Sequence, residues 1–176
     1  MLTRTRILVL AITLMMILSA CAGGAFGGIG SVTEAIDSQD VVRELQWFER
    51  GELGQLYEVS LTVPEDWVDT FQTVNNGAVL TFNRLDDNGN AFPVFSIHTL
   101  SFDQQWEQGG SYPGDYRNIY NDPETMTYFY FHAPAEAFYS RLSGDDYDAL
   151  LAVVADVMTT FEAVPIGGMG ATLDMD

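Results

Sequence analysis

The chain has 176 residues, and seven Arg, no Lys and 25 acidic residues leave a formal net charge of -18 at pH 7. That field repels phosphate backbones and anionic headgroups, which argues against nucleic acid as a partner. The missing Lys removes the central residue of P-loop nucleotide binding, Schiff-base catalysis and Ser-Lys hydrolysis. One Cys allows no intramolecular disulfide, while 47% hydrophobic residues suffice for one real core.

Arg4 and Arg6 precede a mostly apolar run from Ile7 to Leu18. Twelve helical residues would span about 18 Å, short of the ~30 Å hydrocarbon core, so the run reads as a secretory leader rather than a permanent span. Leu18-Ser19-Ala20-Cys21 ends it, with an aliphatic residue three places before the Cys and small residues between. This stretch resembles the lipobox of bacterial lipoproteins. The resemblance implies that residues 1–20 are a signal peptide and that Cys21 is lipidated as the mature N-terminus. It also implies that the protein is held by that lipid at the outer, extracytoplasmic face of a bacterial cell membrane. Each buried CH₂ contributes ~0.8 kcal/mol, and two acyl chains give lasting attachment. Residues 21–30 are then the lipidated Cys and a Gly-rich tether, with five glycines and no charge in 22–30. Such a chain reaches roughly 15–18 Å, from about 5–6 Å × √n.

Residues 31–163 are expected to form a single domain. Ser31-Val-Thr-Glu34 fits the capping-box pattern and suggests a short helix through Asp37. Asp40–Arg50 suits either a helix face or a strand, with the strand favoured because Gly51 and Gly54 then punctuate a turn. Tyr57, Val59, Leu61 and Val63 alternate with Glu58, Ser60 and Thr62 as a half-buried strand that Pro64-Glu65-Asp66-Trp67 ends. A second strand is expected over 77–84 and a third over 92–102, joined by a turn at Asp86-Asp87-Asn88-Gly89-Asn90. The stretch 103–124 reads as a polar, aromatic-rich loop.

Thr125 to His132 forms the fourth strand, aromatic on both faces through Tyr128-Phe129-Tyr130-Phe131. Ser143 or Asp145 caps the last element, a helix whose stripe is Tyr147, Leu150, Leu151, Val154, Val157, Met158 and Phe161. Residues 164–176 read as a flexible C-terminal tail. The fold class is therefore α+β, an antiparallel sheet of about four to six strands covered on one face by a C-terminal amphipathic helix. The strand leading into Val63-Pro64-Glu65-Asp66-Trp67, the long hairpin, and a final helix ending in Thr160-Phe161-Glu162 resemble PsbP-like α/β-sandwich domains. That family includes extrinsic photosystem II subunits and bacterial lipoproteins. The resemblance covers about residues 55–163, implies the same fold and a non-enzymatic role, and carries over no functional residue.

Little catalytic chemistry is legible. Lipidation of Cys21 leaves no thiol nucleophile, and in Gly110-Ser111-Tyr112-Pro113-Gly114 the G-x-S-x-G pattern of a nucleophile elbow would need Gly at 113, where Pro113 stands. His98 and His132 fall on separate expected strands, and spacing alone does not bring them together as bases or metal ligands. Asp86, Asn88 and Asn90 alternate like calcium ligands, but a hairpin turn accounts for them. With 25 acids, carboxylate pairs of glycosidase type carry no information. Trp106, Tyr112, Tyr116 and Tyr120 remain as candidate binding residues for a protein or carbohydrate partner. The expectation is a membrane-anchored lipoprotein with a non-catalytic binding or accessory domain, using no cofactor and no metal. The alternative is a small extracytoplasmic hydrolase using acidic residues and a His.

Overall fold

The computed structural model describes residues 30–108, 114–134 and 140–166. In chain order the strands are β1 (Val32–Ala35), β2 (Asp40–Leu45), β3 (Phe48–Glu49), β4 (Glu52–Leu53), β5 (Tyr57–Thr62), β6 (Phe71–Asn75), β7 (Val79–Leu85) and β8 (Ala91–Leu100). Helix α1 (Phe102–Gln108) follows, then β9 (Asp115–Asp122), β10 (Thr127–Ala133), helix α2 (Gly144–Met158) and β11 (Glu162–Pro165). Six strands make one sheet in the order β1-β6-β7-β8-β10-β9, three make a second in the order β11-β5-β2, and β3-β4 is a separate hairpin. All these pairings are antiparallel.

One apolar cluster joins the parts. The alternation along β5 places Tyr57, Val59 and Leu61 inside, where they meet Val41 and Leu45 of β2. The large sheet supplies Leu80 and Phe82 from β7, Phe95 and Ile97 from β8, and Phe129 and Phe131 from β10. Helix α2 contributes Tyr147, Val154 and Val157. The Tyr147 hydroxyl donates to the Pro134 carbonyl at 2.8 Å, so the first turn of the helix is tied to the end of β10. Ser143 opens α2 by accepting the Asp146 N–H, the expected cap.

Four expectations change. Residues 32–35 form a strand rather than a helix, because pairing with β6 satisfies the backbone and the Glu34 carboxylate meets Arg43 Nε at 2.6 Å instead of capping. Strand β6 has no counterpart among the expected elements, although Phe71 and Thr73 are buried and Asn76-Gly77 is a strong hairpin signal. The stretch 103–124 is not a loop: within its described part it supplies most of α1 and all of β9. Strand β9 lies at the edge of the sheet, so its sequence stays polar and lacks a clean alternation. Finally, the expected tail at 164–176 begins inside β11, where Val164 and Pro165 pair with Glu58 and Tyr57. The Ile166 N–H continues to the Leu56 carbonyl at 2.9 Å, and residues 167–176 lie outside the described part.

The turn at 86–90 is a hairpin turn. Asp86 Oδ1 accepts the N–H groups of Asn88 and Asn90 at 2.9 and 2.8 Å, and Oδ2 accepts the Asn90 side-chain amide at 2.9 Å. Both Asp86 carboxylate oxygens are thus engaged in closing the β7–β8 connection.

Candidate functional site

The most chemically distinctive surface lies at one end of the large sheet, where β8 gives way to α1 and the β3–β4 hairpin folds beside it. Its local structure follows from a few residues. Ser101 and Gln104 form a reciprocal capping box: Ser101 Oγ accepts the Gln104 N–H at 3.1 Å, and Gln104 Oε1 accepts the Ser101 N–H at 3.0 Å. This S-x-x-Q signal was present in the sequence and marks the start of α1. Gln104 also donates its amide to the Phe48 carbonyl at 3.0 Å, and the Ser101 hydroxyl donates to the Glu49 carboxylate, fixing helix against hairpin.

The hairpin itself depends on glycine. Arg50 and Gly51 both have positive φ, 51° and 90°, as its tight turn requires. Any side chain at position 54 would run into the Trp47 indole. That indole donates Nε1–H to Thr127 Oγ1 at 3.2 Å, anchoring the hairpin to β10. Below it, the Tyr57 hydroxyl donates to Asp122 and lies 2.5 Å from Thr125 Oγ1, tying the small sheet to the large one. Burial, reinforced by the Asp122 carboxylate, pushes the Tyr57 phenol up to about 12.

This frame leaves a rim of apolar side chains in solvent. Trp106 is 77% exposed, Leu53 59%, Met126 47%, Phe48 45% and Phe102 44%. Phe102 and Met126 of this rim also line an open recess of ≈ 360 Å³ with Trp47, Glu49, Arg50 and Glu52, among others. Arg50 spreads over three carboxylates, Glu49 at 3.6 Å, Asp103 at 3.4 Å and Glu107 at 3.3 Å. The rim is therefore apolar with an acidic surround in which the nearest cation is already engaged. A second recess of ≈ 450 Å³ lies between β6, β7 and the start of α2. Arg84 there donates to the Ser140 carbonyl at 3.1 Å, while Asp66 and Asp146 also line the space.

The sequence left His98 and His132 apart, but the fold brings them together. Tyr130 pairs with His98 and His132 with Ser96 across β8 and β10, so the two histidines are diagonal neighbours with ring centroids 5.8 Å apart. Tyr116, opposite His132 on β9, sits 6.0 Å from His98 and stacks on Tyr130 at 4.9 Å. The α1 residues Gln105 and Gln108 reach the hydroxyls of Tyr130 and Tyr116 at 3.1 and 3.4 Å. Burial, with the nearby His132 adding to it, pushes the His98 ring down from 6.5 to about 4, so it is neutral at pH 7. Ser96 Oγ lies 2.9 Å from His98 Nε2, a contact that suits either partner as donor. Among the described residues no group of three or more His, Cys, Asp or Glu is placed to hold a metal ion.

The four aromatic candidates do not share one surface. Trp106 projects from α1 into solvent, whereas Tyr116 is half-buried in the histidine cluster. A register shift between Phe129 and Tyr130 turns Tyr120 to the other face, where its ring leans on Phe129 at 5.8 Å. Tyr112 and Cys21 lie outside the described residues. No helix among the described residues is long and apolar enough to cross a membrane. No family model matches the chain, and neither a curated protein nor a solved structure is found similar to it.

Proposed function

We propose that the chain is a lipid-anchored extracytoplasmic lipoprotein of a bacterial cell membrane whose folded part is a non-catalytic binding or accessory domain. The observation that carries this reading is Leu18-Ser19-Ala20-Cys21 at the end of a basic and apolar leader. The surface best suited to contact is the end bearing α1 and the β3–β4 hairpin, because it displays Trp106, the most exposed large apolar side chain among the described residues. The PsbP-like reading of the fold rests on the Val63–Trp67 turn, and takes α2 as the cover of one sheet face.

The hydrolase alternative has one observation in its favour, the Ser96–His98 contact at 2.9 Å. Two features weigh against it. A ring titrating at about 4 has little proton affinity for base catalysis at neutral pH, and Ser96 is only 8% exposed. The test of the main reading is detergent-phase partition of wild-type and Cys21→Ser protein after expression with labelled palmitate. Wild type should carry label and enter the detergent phase, and Cys21→Ser should carry none. Equal labelling and partition would reject the anchor.

A further inference from the structure

The end of the domain that displays apolar side chains is also the end at which the chain from Cys21 enters. Val32 opens β1 opposite Asn75 of β6, and Asn75 lies opposite Leu80 of β7. The ladder continues from Leu80 to Ile97 of β8, and three residues further along β8 Leu100 faces Tyr128 of β10. The first residues of β1, β7 and β10 and the last of β6 and β8 therefore lie at one end of the sheet. The hairpin is tied to that end by the Gln46 N–H to the Gly77 carbonyl at 2.8 Å and by Trp47 to Thr127 at 3.2 Å. Helix α1 starts two residues after Leu100.

We propose that this end rests on the bilayer, with Trp106, Leu53, Phe48 and Met126 seated in the headgroup region of zwitterionic lipid. The inference depends on the anchor at Cys21 proposed above, and names what the exposed end of the domain meets. Cys21 and Gly30 are nine residues apart, a span of ~30 Å even when fully extended. An anchored Cys21 therefore holds the start of β1, which opens at this end of the sheet, within that distance of the membrane. Val32, the first residue of β1, is itself 57% exposed.

The chemistry fits an interface rather than a hydrocarbon interior. Scattered exposed apolar residues are ordinary on a soluble domain, but here a Trp, two Phe, a Leu and a Met gather at one end. Trp prefers the headgroup level, where its ring is covered and its N–H stays hydrated. Glu49, Glu52, Asp103 and Glu107 stand beside these side chains with Arg50 alone among them as a cation. Such a rim repels anionic headgroups and suits zwitterionic ones, whose ammonium groups can meet the carboxylates.

The test uses full-length acylated protein reconstituted into zwitterionic vesicles containing lipids brominated at headgroup-proximal or deep acyl positions. Tryptophan emission is read for wild type and for Trp106→Phe, whose remaining indoles, Trp47 and Trp67, are tied into the fold. The proposal expects shallow bromines to quench wild type strongly and deep ones weakly, with most of the quenching lost in Trp106→Phe. Pelleting with vesicles and the acyl mass on the N-terminal peptide are measured on the same samples. Protein that is acylated and pelleted but not quenched overturns the proposal and leaves the anchor standing. Protein without acyl mass overturns both. Trp106 shielded equally in vesicle-free detergent, with self-association on increasing concentration, would assign the surface to a second copy. Shielding seen in native membranes but not in pure lipid would assign it to a protein partner. Either result overturns the lipid contact.

Discussion

Lowering the pH should destabilise the domain through His98 in a defined window. Its ring is held neutral by burial and by the neighbouring His132, with a pKa of about 4 against 6.5 when free. The unfolded chain therefore binds more protons between these values, and stability falls as pH drops through 6.5, levelling off below about 4. At ~1.4 kcal/mol per pKa unit the full loss is about 3 kcal/mol, of which about 2 kcal/mol is gone by pH 5.

Urea unfolding at constant ionic strength, from pH 8 to pH 4.5, measures this directly. Many other groups titrate in an acidic chain, so the comparison is with His98→Gln, which keeps a polar group beside Ser96 but does not ionise. The difference between the two proteins should shift in favour of the variant by about 2 kcal/mol between pH 7.5 and pH 5. Asp86 and Asp122 do not confuse the result. Hydrogen bonds from Asn90 and Tyr57 hold their carboxyls below the usual value of 3.8, so their stabilisation is lost only at lower pH. Parallel pH profiles for wild type and variant would show that His98 is not enclosed as described.

Other substitutions probe the frame. Phe129 is fully buried against Tyr57 at 5.1 Å and Phe161 at 5.6 Å, so Phe129→Ala should cost about 3–5 kcal/mol in thermal or urea unfolding. Ser143→Ala removes the cap of α2 and should cost about 1 kcal/mol. Trp106→Ala should change stability by less than about 0.5 kcal/mol, because the ring is largely in solvent. A larger loss there would mean that the ring belongs to the core.

What was legible in the sequence was what depended on strong local pattern. The alternation from Tyr57 to Val63, the Asn-rich turn after Leu85 and the Ser143-capped helix each appear close to where periodicity and capping put them. Elements stabilised by partners distant in sequence were not. Strand β9 has few apolar residues of its own and exists because β10 offers it a ladder. Strand β1 carries a helix-start pattern, but tertiary pairing with β6 and the Glu34–Arg43 contact override it. The histidine pair was hidden for the same reason. Residues 34 positions apart become diagonal neighbours only once β8 and β10 pair in a particular register. Helix α1 is the exception, since its Ser101–Gln104 capping box is a local pattern that the sequence itself displays.

The lipid anchor is tested most directly by the mass of the N-terminal peptide of the protein isolated from membranes. A peptide beginning at Cys21 and carrying a diacylglyceryl thioether is expected. A peptide beginning at Met1, or one containing an unmodified Cys21 thiol, would contradict it.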